Sequence, residues 1–213
     1  MIKNIFFDFN GTLLDDLDLC CDIEQKMMIK YNLRPYSKKE YCDKFFFPVR
    51  EYYKETGFPD EEFQVIADFF NEQYYHRWFS ETKLYPDVKE CLINLRKLGY
   101  KIYCLSATED VFLKKQLDFL GILDCFDGIC GANNNLGMGK IAYGRLFAKE
   151  HNVKSNETIM VGDTIHDYEV SQDLGYGCIL FSEGHNSINR LKTIGVPMFN
   201  NYKELINIIQ NWL

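Results

Sequence analysis

Carboxylates, small hydroxyls and a lysine recur at the ends of short apolar runs, and together they form a set suited to phosphoryl chemistry. The first run, Ile5-Phe6-Phe7, leads into Asp8-Phe9-Asn10-Gly11-Thr12. A carboxylate there stands at the carboxyl end of a strand, where open α/β sheets place their ligands, and Gly11 permits a tight turn behind it. The second run, Ile102 to Leu105, leads into Ser106-Ala107-Thr108. Hydroxyl and backbone N–H groups at the start of a helix suit phosphate oxygens. Gly137-Met138-Gly139-Lys140 opens another helix, with an ammonium that could neutralise a phosphoryl group near the same edge. A later run, Thr158 to Val161, ends in Gly162-Asp163-Thr164-Ile165-His166-Asp167, so two carboxylates flank a strand-to-helix turn. An acidic pair beside Asp8 would repel it unless a hard cation lay between them, and Mg²⁺ held by one or two carboxylates plus a phosphate is the expected arrangement. Taken singly, each feature has a plainer reading: an Asx turn at Asp8, a helix cap at Ser106, a solvated lysine at Lys140. Their succession is what points to a site.

On these residues the chain resembles the haloacid dehalogenase-like superfamily. Its four motifs are an Asp after the first strand, a Ser or Thr after the second, a Lys, and an acidic pair. The resemblance spans essentially the whole chain and looks closest to phosphoglycolate phosphatases and related small-substrate phosphatases. It implies that Asp8 attacks phosphorus to give an aspartyl-phosphate, splitting one difficult displacement into two easier ones. Ser106 and Lys140 would hold the transferring oxygens, with Gly11, Thr12 and Ala107 in the same phosphate-binding region. Asp163 would ligate Mg²⁺ with the Asp8 carboxylate and the backbone carbonyl of Asn10. Asp167 would be a water-mediated metal partner, or would orient Lys140 or the ion. The substrate would be a small phosphorylated metabolite, and Arg50, in Phe47-Pro48-Val49-Arg50, is the candidate for an additional anionic group on it.

One position departs from the resemblance. Phosphatases of this kind usually carry Asp two residues after the nucleophile, where it protonates the leaving group and then activates water. Here the residue is Asn10. An amide cannot do acid–base work, a role worth roughly 10² to 10⁴ in rate. The alternative to an efficient phosphatase is therefore a catalytically weak phosphate-binding or regulatory protein of the same family. His166 and His185 are considered as replacement proton carriers and held to be structural or solvated instead. Dehalogenation needs an Asp nucleophile but no metal, so the acidic pair and Lys140 count against it.

The elements that must position these residues follow from hydrophobic patterning. Buried parallel strands are expected at Ile5 to Phe7, Ile102 to Leu105, Gly128 to Cys130, Thr158 to Val161 and Cys178 to Phe181. Helices are expected from Asp87 to Leu98, from Glu109 to Leu120 and from Tyr202 to Trp212, the first two stopped by Gly99 and Gly121. Residues 16–80 show helical patterning only. One stripe is Leu17, Cys20, Ile23, Met27 and Tyr31; another is Phe63, Ile66, Ala67, Phe70, Tyr74 and Trp78, with Asp60 as the expected N-cap. The fold class is α/β: a Rossmann-like doubly wound parallel sheet, residues 1–15 and 81–213, with an inserted all-helical cap, residues 16–80, similar to the family's C1-type cap.

Composition narrows the partners. A net charge of -7 over 213 residues argues against a nucleic-acid surface. Eight cysteines lack CxxC spacing and several lie in apolar runs, which reads as buried thiols rather than disulfides or zinc ligands. No apolar stretch reaches the roughly 18 residues of a membrane span, and no basic leader precedes one, so a cytoplasmic protein without a membrane partner is expected. Nothing in the sequence marks an oligomeric interface.

Overall fold

The computed structural model describes residues 1–132 and 139–212. Six strands form a parallel sheet: β1 (Asn4–Phe7), β4 (Lys101–Glu109), β5 (Gly128–Ala132), β6 (Thr158–Gly162), β7 (Gly177–Phe181) and β8 (Met198–Phe199). Their spatial order is β5-β4-β1-β6-β7-β8. Counting these six in chain order gives 3-2-1-4-5-6, the doubly wound arrangement, in which the order reverses beside the first strand.

Strand side chains alternate between two cores. Ile5 and Phe7 of β1, Ile102 and Cys104 of β4, and Ile159 and Val161 of β6 enter one cluster. It is closed by helices α5 (Val88–Lys97), α6 (Asp110–Phe119) and α10 (Tyr202–Gln210) through residues such as Leu92, Leu117 and Leu205. Phe6, Tyr103, Leu105 and Met160 face the opposite way, against Tyr143 and Phe147 of α7 (Lys140–Glu150) and Val170 of α8 (Ile165–Leu174). Strands covered on both faces must be apolar at every position, which is why they read as continuous runs rather than alternating ones.

Between β2 (Leu14–Asp15) and β3 (Lys83–Leu84) the chain forms α1 (Leu17–Lys30), α2 (Lys38–Lys44), α3 (Val49–Thr56) and α4 (Phe63–Glu81). These helices have their own core, in which Ile23, Met27, Tyr52, Ile66 and Trp78 are almost fully buried. Two features differ from the sequence expectation. Asp60 does not cap the last of these helices: it begins a short 3-10 turn, and its carboxylate pairs with Arg50 at 2.7 and 3.1 Å. The insertion also begins and ends on a separate two-stranded antiparallel pair, Leu14↔Leu84 and Asp15↔Lys83, which is too short to leave a period in the sequence. The same brevity hid β8.

All eight cysteines are buried and free, as expected. Among the described residues no helix is long and apolar enough to cross a membrane.

Candidate active site

Asp8 directly follows β1, and Asp163 directly follows β6, its neighbour across the reversal in strand order. They meet at the crevice where doubly wound sheets bind ligands. Asp8, Asn10, Ser106, Ala107, Lys140, Asp163 and Asp167 all line one cavity of about 610 Å³. Gly11 and Thr12 lie just behind it. Gly137 and Met138, from the turn expected before Lys140, fall outside the described residues, whereas Gly139 and Lys140 lie within them.

The loop after β1 has little room. Gly11 has φ +71°, and a Cβ there would come within 2.4 Å of Asp163 Oδ2, so both conformation and space require glycine. Thr12 is fully buried; its hydroxyl donates to Asp163 Oδ1 at 2.8 Å and lies 3.3 Å from Asp8 Oδ2. With a single proton to give, it serves Asp163, the nearer oxygen. Ser106 is also buried, and its Oγ accepts the Thr108 N–H at 3.1 Å; both lie within β4, which runs on to Glu109 rather than ending at Leu105 and shifts its register against β5 between those two residues.

Lys140 bridges two carboxylates, donating to Asp8 Oδ1 at 2.5 Å and to Asp167 Oδ1 at 2.7 Å. Burial opposes its charge, but Asp167 and Asp8 outweigh burial and hold its pKa above the ordinary lysine range. The other oxygen of Asp167 accepts from the Thr164 hydroxyl and from the backbone N–H groups of Asp163 and Thr164. Burial would raise the Asp167 pKa, yet Lys140 and these donors lower it. The expected repulsion is thus met at Asp167 by Lys140. It persists between Asp8 and Asp163: burial lifts Asp8 to about 6 against the pull of Lys140, and burial with the neighbouring carboxylates lifts Asp163 to about 7.

One ammonium therefore faces three buried carboxylates. Ligand oxygens of Asp8, Asp163 and Asp167 lie within 4.8 Å of one another. An all-oxygen donor set with surplus negative charge fits a hard divalent cation such as Mg²⁺; Asp167 is the most heavily engaged of the three, with Lys140 on one oxygen and three donors on the other.

Asn10 sits beside this cluster and is fully hydrogen-bonded. Its Oδ1 accepts from Thr108 Oγ1 at 2.8 Å, and its Nδ2 donates to Asp16 Oδ2 at 2.8 Å and Tyr74 Oη at 2.7 Å. Asp16 in turn accepts from Gly11 N, Asn10 Nδ2, Tyr74 Oη and His185 Nε2, at 2.7 to 3.1 Å. Burial alone would raise the Asp16 pKa, but His185 and these donors lower it. Burial likewise works against charge on His185, yet Asp16 pushes its pKa up to about 9. The imidazolium then donates from Nε2 to Asp16 and from Nδ1 to Tyr41 Oη, 3.0 Å away, while its backbone N–H donates to Asp163 Oδ2 at 2.6 Å. This second cluster was not anticipated. Its signal was a fifth strand end, Phe181-Ser182-Glu183-Gly184-His185, whose glycine packs directly on Asp163.

Arg50 is not brought to the site. It is exposed, pairs with Asp60 and lies over the Phe63 ring at 5.4 Å, and it is absent from the described lining of the cavity. His166 does line the cavity, its ring tilted against Phe47 with centroids 4.9 Å apart and with Nδ1 3.3 Å from Glu169.

A family model described as haloacid dehalogenase-like hydrolase matches residues 5–181. Phosphoglycolate phosphatase of Nitrosococcus oceani is 25% identical over 193 residues, 85% of this chain and 84% of that protein. That of Psychrobacter arcticus is 23% identical, covering 96% of this chain and 94% of its own. Among solved structures, a predicted phosphatase from Clostridium acetobutylicum superposes with TM-score 0.87 at 21% identity over 100% of both chains. A haloacid dehalogenase-like hydrolase from Streptococcus pneumoniae gives 0.85 at 18% identity over 98% of both.

Proposed function

The chain belongs to the haloacid dehalogenase-like hydrolases, and from that premise we propose that it is a Mg²⁺-dependent phosphomonoesterase acting on a small phosphorylated metabolite through an aspartyl-phosphate on Asp8. The observation that carries this reading is the charge-surplus cluster of Asp8, Asp163 and Asp167 around Lys140, at the crevice of the sheet and open to a substrate-sized cavity. The phosphoglycolate phosphatase relatives support the phosphatase class.

Bound at Asp8, Asp163 and the carbonyl of Asn10, Mg²⁺ would supply positive charge for the phosphoryl oxygens. Lys140 adds a second positive charge, and Asp167 holds that ammonium in place. The Ser106 hydroxyl, anchored by Thr108 N–H, has no acceptor for its own proton among the described residues and would turn it to a phosphoryl oxygen. One Asp8 oxygen forms a bond to phosphorus as the ester oxygen leaves, and water then attacks the phosphorus and releases Asp8. The helices of residues 16–80 form the cap, whose movement against the core would admit substrate and exclude water. In this structure the cap is latched by Ser187 N–H and the Arg190 guanidinium on the carbonyl of Cys42, at 3.0 and 3.2 Å.

A second reading, slow turnover with retained phosphate binding, is favoured by one observation: Asn10 spends both amide protons on Asp16 and Tyr74 and has none to lend a leaving group. Steady-state hydrolysis of phosphomonoesters with and without Mg²⁺, with Asp8→Asn as control, tests the main reading. Hydrolysis that survives exhaustive chelation or Asp8→Asn overturns it. Binding of a phosphate analogue without multiple turnover selects the second.

A further inference from the structure

Above the charged cluster, the cavity is walled by aromatic rings. Phe45 and Phe47 come from the α2–α3 connection, Tyr53 from α3, Phe70 and Tyr74 from α4, and Phe112 from α6 on the core side. Among the described lining residues there is no arginine, and Lys140 is the single lysine, already shared by Asp8 and Asp167. His185 is committed to Asp16 and Tyr41, and His166 to Phe47 and Glu169. The remaining titratable carboxyl groups of this upper lining are Glu24 and Glu109, which offer a carboxylate no positive charge. A substrate carrying a carboxylate at its far end would bury that charge against rings and acids, without a cationic partner. A flat apolar group would instead replace water on ring faces, and 610 Å³ holds one or two fused rings.

Residue 10 points the same way independently. With its amide protons committed, Asn10 cannot protonate a departing alkoxide, whereas a phenolate leaves as a weakly basic anion and needs no such proton.

We propose that the preferred substrates are aryl phosphomonoesters, whose ring lies between Phe45, Phe47, Tyr53, Phe70 and Phe112, rather than carboxylated alkyl phosphates such as phosphoglycolate. This rests on the phosphatase reading and names the substrate class of that site.

The test compares phenyl phosphate, 2-naphthyl phosphate, benzyl phosphate and 2-phosphoglycolate with the Mg²⁺-loaded protein. The expected kcat/KM for the two aryl esters exceeds that for 2-phosphoglycolate by about 30-fold or more, the scale of burying one ring. Benzyl phosphate has the ring but an alkoxide leaving group. It separates recognition from leaving-group reactivity: its KM is expected near that of phenyl phosphate, with a kcat lower by about 10². Phe70→Arg is expected to reverse the order, improving KM for 2-phosphoglycolate about tenfold and weakening the naphthyl ester. Equal or better use of 2-phosphoglycolate by the unaltered protein, or a benzyl KM as poor as that of phosphoglycolate, overturns the proposal. If nothing is hydrolysed, the phosphatase reading fails separately, and calorimetric binding of the same compounds to Asp8→Asn decides the ligand class. Tighter aryl binding then sustains the proposal, and equal or tighter phosphoglycolate binding overturns it.

Discussion

Two buried carboxylate clusters lie on either side of the loop Asp8–Thr12, and they resolve the same problem differently. Around Asp16, every oxygen has its donors and the adjacent imidazolium balances the charge, so the carboxyl is held below its ordinary range. Around Asp8, three carboxylates share one ammonium, and two of them are pushed up, to about 6 and about 7. Completed electrostatics marks a joint: Asp16, Tyr74 and His185 tie the helical insertion to the loops after β1 and β7. Incomplete electrostatics marks a site that gains by taking in a cation and a phosphoryl group. The acids are of the same type and depth, and what distinguishes them is how far their partners neutralise them.

Substitution should separate the two clusters most sharply at their central acids. Asp8→Asn is expected to reduce phosphomonoester turnover by about 10⁴ or more, since an amide is not a competent nucleophile. It should leave urea stability unchanged or higher, because it removes one surplus negative charge while Lys140 keeps Asp167. Asp16→Asn should do the reverse in stability, costing about 3–5 kcal/mol by breaking the buried ion pair with His185. Equal stability losses in the two variants, measured by urea unfolding, would break the comparison.

Asn10 lies at the border between the clusters. Asn10→Asp should raise turnover of alkyl phosphates such as benzyl phosphate by about 10², because a carboxyl restores proton transfer to the leaving group. It also places a second carboxyl 2.8 Å from Asp16, so a loss of stability should accompany the gain in rate. A variant with unchanged rate on benzyl phosphate, given brisk turnover by the parent, would mean that another group moves the proton.

The smallest expected effect lies deeper in the insertion. Glu24 is buried, accepts the Tyr52 hydroxyl at 2.5 Å, and is pushed up by burial to about 7 from its ordinary 4.5. The folded chain therefore keeps this proton where the unfolded chain has lost it, and stability falls as pH rises from about 4.5 through about 7. Glu24→Gln should match the parent near pH 4 and exceed it by about 1–3 kcal/mol near pH 8. A constant difference across that range, read from urea unfolding at each pH, would contradict the assignment.

The sequence made legible whatever depends on the neighbours of a strand end. Asp8, Ser106 and Asp163 follow continuous apolar runs, Asp167 lies in the first turn of the helix after the last of them, and a sheet buried on both faces brings the ends of such runs to one edge. Contacts between distant segments left no local signal. Arg50 looked available beside Phe47, but Asp60, ten residues on, captures it. Asp60 itself looked like a helix cap for the same reason. His185 and Tyr74 meet Asp16 across 169 and 58 residues, and that meeting decides what Asn10 can do. β2, β3 and β8, at two residues each, are too short to carry a period.

The central claim is that Asp8 carries the phosphoryl group, and because Asn10 supplies no base for the second step, that adduct should persist. With Mg²⁺ and phenyl phosphate, rapid acid quenching followed by peptide mass mapping is expected to find one phosphoryl group on Asp8, its formation matching a burst of phenol and its decay matching slow steady turnover. Rapid phenol release with no phosphorylated Asp8, or with the phosphoryl group on another residue, would contradict the account.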